Sequence, residues 1–160
     1  MLNKPSGRID EMFEKHADTV YRVALSQTNQ QADAEDVFQE VFVKLFATDT
    51  VFQSDEHIKA WLIRVTINKC RDLHKSAWNK KTVELTPELT DVAHESIDMD
   101  HALARLPLHY RSVIHLFYFE DMSIAQIAKT LQANENTVKT WLSRARKLLK
   151  VDLEGSLDNV

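Results

Sequence analysis

The sequence predicts an all-α protein built of two small helical domains joined by a flexible linker. Only 2 Gly and 3 Pro occur among its 160 residues, and the tight turns of sheet-rich folds usually require these two residues. Apolar residues make up 44% of the chain, which is enough to fill packed cores. They recur mainly at spacings of three and four residues, the pattern of amphipathic helices. Long helices with few connections are therefore expected.

The first domain is predicted over residues 1–78, with three helices. The first helix covers 9–27 and is followed by a polar connection. Asp33 is expected to cap the second helix, because an Asp side chain accepts bonds from the free N–H groups of a first helical turn. A broad apolar face then runs along this helix as far as Phe46. The third helix is predicted over 58–76.

A linker is predicted over 79–96, where helical periodicity fades and polar and acidic residues dominate. The second domain is predicted over 97–150. Pro107 is expected to open one of its helices, since the missing N–H of proline costs little in a first turn. Residues 151–160 are acidic, and we expect this tail to fray.

Residues 123–150 have the pattern of a helix-turn-helix. Ser123 followed by Gln126 fits a capping box, and Asn134 is a good cap for the second helix. One stripe of that helix is apolar. The other stripe carries the candidate DNA contacts Lys139, Thr140, Ser143, Arg144 and Lys147. A recognition helix needs this division, because one face packs on its own domain while the other enters the major groove. A helical hairpin with a solvated basic face is the alternative.

The net charge of −4 conceals a segregation of charge along the chain. Residues 57–81 carry seven Lys or Arg against one acidic residue, and residues 134–150 carry five against one. Basic stripes of this kind suit contacts with phosphates. The acidic remainder suits basic protein surfaces. Two ordinary solvated helix faces would give the same counts.

An enzyme or a metal protein is disfavoured. Cys70 is the only cysteine and lies in an apolar helical stretch, so a small buried residue is expected there rather than a nucleophile. None of the seven His stands in an HExxH or comparable ligand spacing. No cofactor and no small-molecule substrate are expected. No apolar run approaches the roughly 20 residues that span a bilayer, and the N-terminus lacks a signal-peptide core. We therefore expect a cytoplasmic protein.

Three blocks of sequence, spread along most of the chain, carry a resemblance through their order and spacing. They are DAEDVFQEVFVKLF at 33–46, AWLIRVTINKCRDLHK at 60–75, and LPLHYRSVIHLFYFEDMSIAQIAKTLQANENTVKTWLSRARKLLK at 106–150. Together they resemble the sigma-70 family of transcription initiation factors, and more narrowly its extracytoplasmic-function (ECF) class. The chain is too short for the extra domains of housekeeping members of the family.

The resemblance implies a factor that binds RNA polymerase core and directs it to promoter DNA, with the polymerase performing the chemistry. It implies that the helix over 33–46 docks on a coiled coil of the largest polymerase subunits. The exposed D..QE pattern of the family is matched by Asp36, Gln39 and Glu40. Factors of this class are commonly sequestered by an anti-sigma protein, often membrane-anchored.

The second block resembles the segment that reads and opens the minus-ten promoter element. Asn68 matches the asparagine that helps to hold a base flipped out of the non-template strand. The candidates for contact with the DNA backbone are Arg64, Lys69, Arg71, His74 and Lys75. Arg64 fits an internal salt bridge equally well. Trp61 falls in the apolar stripe and is expected to pack in the core.

The third block resembles the domain that reads the minus-thirty-five element. Lys139, Thr140, Ser143 and Arg144 match the positions that face DNA there, and Ser143 is smaller than many residues found at its position. The alternative function is a stand-alone helix-turn-helix regulator that binds an operator as a dimer and needs no polymerase. The acidic face of the helix over 33–46 argues against that alternative.

Overall fold

The computed structural model describes residues 6–80 and 97–158. The chain divides into two compact units, Met1–Glu84 and Leu85–Val160, here called the N-terminal and the C-terminal unit. The elements of both units are helices throughout the described residues, which confirms the predicted all-α class. The linker predicted over 79–96 has its first two residues in a helix, and residues 81–96 lie outside the described residues. Its bounds therefore stay a prediction.

The N-terminal unit consists of three helices, each packed on the other two: α1 (Ser6–Thr28), α2 (Gln31–Ala47) and α3 (Asp55–Lys80). The apolar stripes of the three helices meet in one core. Its buried members are Met12, Val20, Ala24, Ala34, Val37, Val41, Phe42, Leu45, Phe52, Ile58, Leu62, Val65 and Cys70. Trp61 packs against this core, with its ring edge-on to Phe52 at 5.5 Å, which confirms its predicted place.

Two helix starts differ from the prediction. Asp33 does not cap α2, because the helix begins two residues earlier and follows Gln30, whose side chain makes no capping bond. Asp33 lies instead in the first turn, where the helix dipole favours a carboxylate. The third helix begins at Asp55 rather than 58, because the Ser54 hydroxyl accepts a hydrogen bond from the backbone N–H of His57 at 3.1 Å.

The C-terminal unit is arranged around its last helix. Its elements are α4 (Ile97–Arg105), α5 (Leu108–Ile114), a π-helical turn (His115–Phe119), α6 (Ile124–Leu131) and α7 (Glu135–Asp158). The longest of them, α7, packs on α4, α5 and α6. Pro107 stands at the N-cap of α5 and so opens this helix, as predicted.

Polar caps fix the turn between α6 and α7. The backbone N–H of Gln126 donates to the Ser123 hydroxyl at 3.1 Å, and the backbone N–H of Ser123 donates to Oε1 of Gln126 at 2.9 Å. This is the predicted capping box. Asn134 accepts a bond from the N–H of Asn136 at 2.9 Å, as expected of a cap. Gln132 ends α6 in the left-handed region, with φ 54°.

The last helix does not end near residue 150, as predicted, but continues to Asp158. Two ion pairs accompany the extra turns. Lys150 and Glu154 stand four residues apart with Nζ and Oε1 4.0 Å from each other, and Arg105 of α4 lies 3.9 Å from Asp152. Opposite charges four residues apart, as in Lys150 and Glu154, stabilise a helix, and Asp152 links this part of α7 to α4.

A first prediction concerns His16 of α1, which is 5% exposed and whose Nε2 has no hydrogen-bond partner among the described residues. Burial lowers its pKa below the ordinary 6.5, and Lys15 and Lys59 act in the same direction while Asp55 opposes them. The unfolded chain therefore binds a proton at His16 more readily than the folded chain does. Stability should be complete above the ordinary imidazole pKa and decline as the pH falls below it.

Urea unfolding of the wild type and of His16→Gln between about pH 7.5 and about pH 5.5 checks this prediction. We expect the free energy of unfolding to decline more steeply toward acid in the wild type than in the variant. Equal slopes in the two proteins would contradict it.

Candidate functional site

The predicted acidic face is present on α2. Asp36, Gln39 and Glu40 are all exposed, while the neighbouring Val37 and Val41 are buried in the core. Positions three and four apart share a helix face, so the three polar side chains form one continuous patch. The core therefore orients this patch outward.

The same face of α2 also carries apolar side chains that sequence reasoning missed. Val43 stands three residues after Glu40 and seven after Asp36, and it is 64% exposed. Phe46, expected at the end of the buried face, is 49% exposed, so that expectation is wrong. The buried residues of α2 that pack on α1 and α3 end at Leu45. Phe46 lies outside this buried face. An exposed Val beside carboxylates resembles the core-and-rim pattern of protein interfaces.

The candidate residues of α3 separate into one stripe and two flanks. Arg64, Asn68, Arg71 and Lys75 follow one another at spacings of four, three and four, which places them on one face. Asn68, Arg71 and Lys75 are exposed and Arg64 is partly buried. The other two candidates, Lys69 and His74, lie to either side of this stripe and have partners within the N-terminal unit.

Lys69 faces α2. Its Nζ lies 3.8 Å from Oε2 of Glu40, so a residue predicted to contact DNA pairs with one predicted to contact polymerase. The pair borders a cleft of about 230 Å³ between α2 and α3. The lining residues are Asp36, Val37, Glu40, Lys69, Asp72 and Leu73. The two predicted sites of the N-terminal unit therefore meet along this cleft.

His74 joins α3 to the end of α1. Its Nε2 lies 2.8 Å from the backbone carbonyl oxygen of Gln27, and with that nitrogen protonated the imidazole donates to the carbonyl. The side chain is half-buried. Sequence reasoning missed this anchoring bond, because the two residues are far apart along the chain.

Cys70 lies fully buried in the core of the N-terminal unit. Burial, aided by the negative charge of Asp33, raises the pKa of its thiol to about 12. A nucleophile or metal ligand must be a thiolate, so Cys70 has the predicted structural role. Within residues 6–80 and 97–158, no cluster of three or more His, Cys, Asp or Glu could hold a metal ion. Over the same residues, no helix combines the length and apolarity that a membrane crossing demands.

The last helix, α7, has the two-faced form expected of a recognition helix. Val138, Leu142 and Ala145 are buried. The opposite face holds five exposed candidates, Lys139, Thr140, Ser143, Arg144 and Lys147. The hydroxyl of Thr140 donates to the backbone carbonyl of Asn136 at 2.9 Å. The packing of α7 on α6 leaves the basic side chains directed away from the unit.

Three side-chain contacts of the C-terminal unit were not foreseen. His115 and Glu120 form a buried hydrogen bond of 2.9 Å across the π-helical turn. Arg146 donates from Nε to the hydroxyl of Tyr118 at 2.7 Å. The rings of His109 and Trp141 stack with their centroids 4.9 Å apart and their planes 16° from parallel. The last two join different helical elements, and periodicity along a single helix carries no signal of them.

Both units of the chain match known protein families. The family model of sigma-70 region 2 matches residues 12–80, and that of sigma-70 region 4 matches residues 96–149. The RNA polymerase sigma factor SigV of Bacillus subtilis is 31% identical over 143 residues, which cover 86% of each chain. The ECF RNA polymerase sigma factor SigL of Mycobacterium tuberculosis is 30% identical, covering 89% of this chain and 87% of SigL.

Two solved structures share the fold. The sigma factor RpoE of Bartonella quintana, in complex with the anti-sigma factor NepR, gives a TM-score of 0.74 at 22% identity and covers 91% of this chain and 96% of its own. CnrH, in complex with the cytosolic domain of CnrY, gives 0.72 at 24% identity, with coverages of 94% and 90%. At such identity these likenesses concern the fold alone.

A second prediction follows from the bond between His74 and Gln27. His74→Ala should lower the free energy of unfolding by about 1 kcal/mol, because a hydrogen bond between α1 and α3 is lost. Urea denaturation measures the change. Lys75→Ala is the matched control, since that side chain is exposed, and it should stay within about 0.5 kcal/mol of the wild type. Equal effects of the two substitutions would show that the bond contributes nothing.

Proposed function

Since the chain belongs to the sigma-70 family, and within it to the extracytoplasmic-function class, we propose that three exposed helix faces divide promoter recognition between them. The chain is an RNA polymerase sigma factor, a transcription initiation factor and not an enzyme. Factors of this kind bind RNA polymerase core and direct it to promoter DNA. One observation carries the assignment of faces. The acidic patch of α2 and the basic face of α7 are exposed on separate units.

The first face, on α2, binds polymerase core through Asp36, Gln39 and Glu40. Support comes from their shared exposure and from the acidic character of the patch, which suits a basic protein surface. Val43 beside them adds an apolar side chain that water solvates poorly. A charged rim around an apolar contact gives both orientation and affinity.

The second face, on α3, reads and opens the minus-ten element. Asn68 presents an exposed amide, which can donate to and accept from the edge of a base. Arg64, Arg71 and Lys75 on the same stripe supply cations for the backbone on either side of it. Extraction of a base from the stack costs a few kcal/mol, so a ready partner for the flipped base provides sequence choice. Lys69 and His74 belong to this site only at its margins.

The third face, on α7, enters the major groove at the minus-thirty-five element. Arg144 can pair with two acceptors of a guanine, and Lys139, Thr140, Ser143 and Lys147 are adaptable donors to bases or phosphates. The capped turn after α6 holds α7 at a fixed angle to its unit. The segment proposed as a linker, 79–96, tethers the two units, so that two weak contacts on one promoter combine into a selective one.

We also propose a cytoplasmic location, where RNA polymerase works, and control by an anti-sigma protein. The second proposal draws on the two similar structures, in which a sigma factor is bound by the anti-sigma factor NepR and CnrH by the cytosolic domain of CnrY. A stand-alone operator-binding regulator is the alternative that sequence reasoning kept open. The relatives of the chain are sigma factors instead.

A third prediction separates the two ends of the factor. Lys139→Ala combined with Arg144→Ala should weaken binding of the holoenzyme to the promoter by about tenfold or more, with core binding unchanged. Asp36→Ala combined with Glu40→Ala should weaken core binding, and promoter binding should fall with it because less holoenzyme forms. Core binding is measured by pull-down with purified core, and promoter binding by gel shift on the DNA upstream of the gene.

Matched controls for these variants are Arg105→Ala and Glu14→Ala, which remove exposed charges away from the proposed faces. Both should behave as the wild type in the two assays. Loss of core binding in the Lys139 and Arg144 double variant, or normal core binding in the Asp36 and Glu40 double variant, would contradict the division of labour between the units. Tight binding of the free factor to the promoter would favour the stand-alone regulator.

A fourth prediction concerns Asn68. Asn68→Ala should reduce open-complex formation by about tenfold or more, because the flipped base loses a partner, while closed-complex binding stays near the wild-type level. Permanganate footprinting of unpaired thymines measures opening, and gel shift measures closed-complex binding. Arg71→Ala on the same stripe is the comparison, and as a backbone contact it should weaken closed-complex binding first. Unchanged melting in the Asn68 variant would count against the proposed pocket.

A further inference from the structure

A pair of stacked rings lies between α5 and α7. His109 stands in the first turn of α5 and is exposed, while Trp141 stands on α7 and is half-buried. Their centroids are 4.9 Å apart and their planes lie within 16° of parallel. The indole therefore covers one face of the imidazole and limits how that side chain can turn.

The position of Trp141 on α7 places this pair beside the proposed DNA face. Trp141 precedes Arg144 by three residues and follows Thr140 directly, so it borders the basic stripe on the side of Arg144. His109 comes from another helix and lies over that border. The imidazole of His109 therefore adds a hydrogen-bonding group from α5 beside the basic face of α7.

The chemistry of the pair suits an anion. The nitrogens of an imidazole lie in the plane of the ring, so stacking leaves both free to bond outward. The nitrogens of His109 make no hydrogen bond to any residue that the structure describes. Neutral imidazole keeps one N–H donor and imidazolium has two. An indole face also favours a cation above it.

We propose that His109, positioned by Trp141, is a contact to a DNA phosphate at the edge of the minus-thirty-five site. The inference rests on the proposed function of α7 and extends it to a second helix. In helix-turn-helix proteins the recognition helix reads bases, and neighbouring elements meet the backbone that borders the groove. His109 stacks on Trp141 beside the basic stripe, so its side chain lies at that border. His109 is therefore a backbone contact, and Trp141 is its positioning residue.

The test measures the affinity of the reconstituted holoenzyme for promoter DNA over a series of salt concentrations. His109→Ala should weaken binding by about threefold to tenfold. The loss should be equal on the native promoter and on one with an altered minus-thirty-five element, because a phosphate contact carries no sequence information. His109→Arg should keep or increase affinity and steepen the slope of log K against log salt by about one.

Trp141→Phe tests the positioning role, since a phenyl ring retains a stacking surface and should keep most of the affinity. Trp141→Ala should reproduce the loss seen with His109→Ala. Thermal unfolding of each variant identifies those that are only less stable. His101→Ala on α4 is the matched control and should bind as the wild type does.

Two results would overturn the inference. His109→Ala could lower the unfolding temperature and leave promoter affinity unchanged, in which case the stack is packing alone. His109→Arg could leave the salt slope unchanged, in which case no phosphate lies within reach. A loss in the Lys139 and Arg144 double variant without a loss in His109→Ala would refute this inference and leave the proposed function standing. No loss in either would refute both.

Discussion

Each helix of this protein must bury one apolar stripe against very few neighbours, and this constraint decides where every charge can lie. In the N-terminal unit, Val20, Leu45 and Leu62 come from three different helices and are fully buried. Burial of a side chain of this size contributes about 1.5–3 kcal/mol, far more than an exposed ion pair does. The stripes therefore fix the rotation of each helix. The polar faces of α2 and α3 point outward because the opposite, apolar faces are buried, and not because polar side chains hold them there.

The same constraint acts on α7, with an addition. Leu142 of α7 and Ile127 of α6 are both buried in the C-terminal unit. Apolar packing alone would still allow the angle between the two helices to vary. The Ser123 capping box and the Asn134 cap satisfy free N–H groups at the starts of the two helices. A basic face can read a groove only if its angle is fixed, so these small polar bonds determine the precision of the surface.

The sequence was informative wherever one helix alone contains the signal. The spacing of Val37, Val41 and Leu45 predicts the outward direction of Asp36 and Glu40, and the structure agrees. Helix ends were less predictable. Asp33 could cap a helix, but only two residues connect α1 to α2, so α2 begins before Asp33.

Specific side-chain pairs between helices could not be predicted. The bond from His74 to the carbonyl of Gln27 and the stack of His109 on Trp141 depend on how two helices are rotated against each other. A hydrophobic period gives the inward face of each helix but not which residues oppose one another across it. The exposure of candidate residues along one helix stripe was therefore accessible to sequence reasoning, and the contacts that support or flank a stripe were not.

The pair of Glu40 and Lys69 is the direct contact between the two proposed sites of the N-terminal unit, and it couples them only weakly. Its atoms are 3.8 Å apart, and the side chains are 62% and 35% exposed. Pairs of this kind contribute about 1 kcal/mol at most, which is about a fivefold change in an equilibrium. If polymerase binds Glu40 or a phosphate binds Lys69, as proposed, the pair therefore breaks at little cost. An ion pair this weak cannot hold DNA binding off until polymerase is bound. On the proposed assignment of faces, any dependence of DNA binding on polymerase binding would come from the proposed linker, which would bring two modest DNA contacts to one promoter once a large protein holds the N-terminal unit.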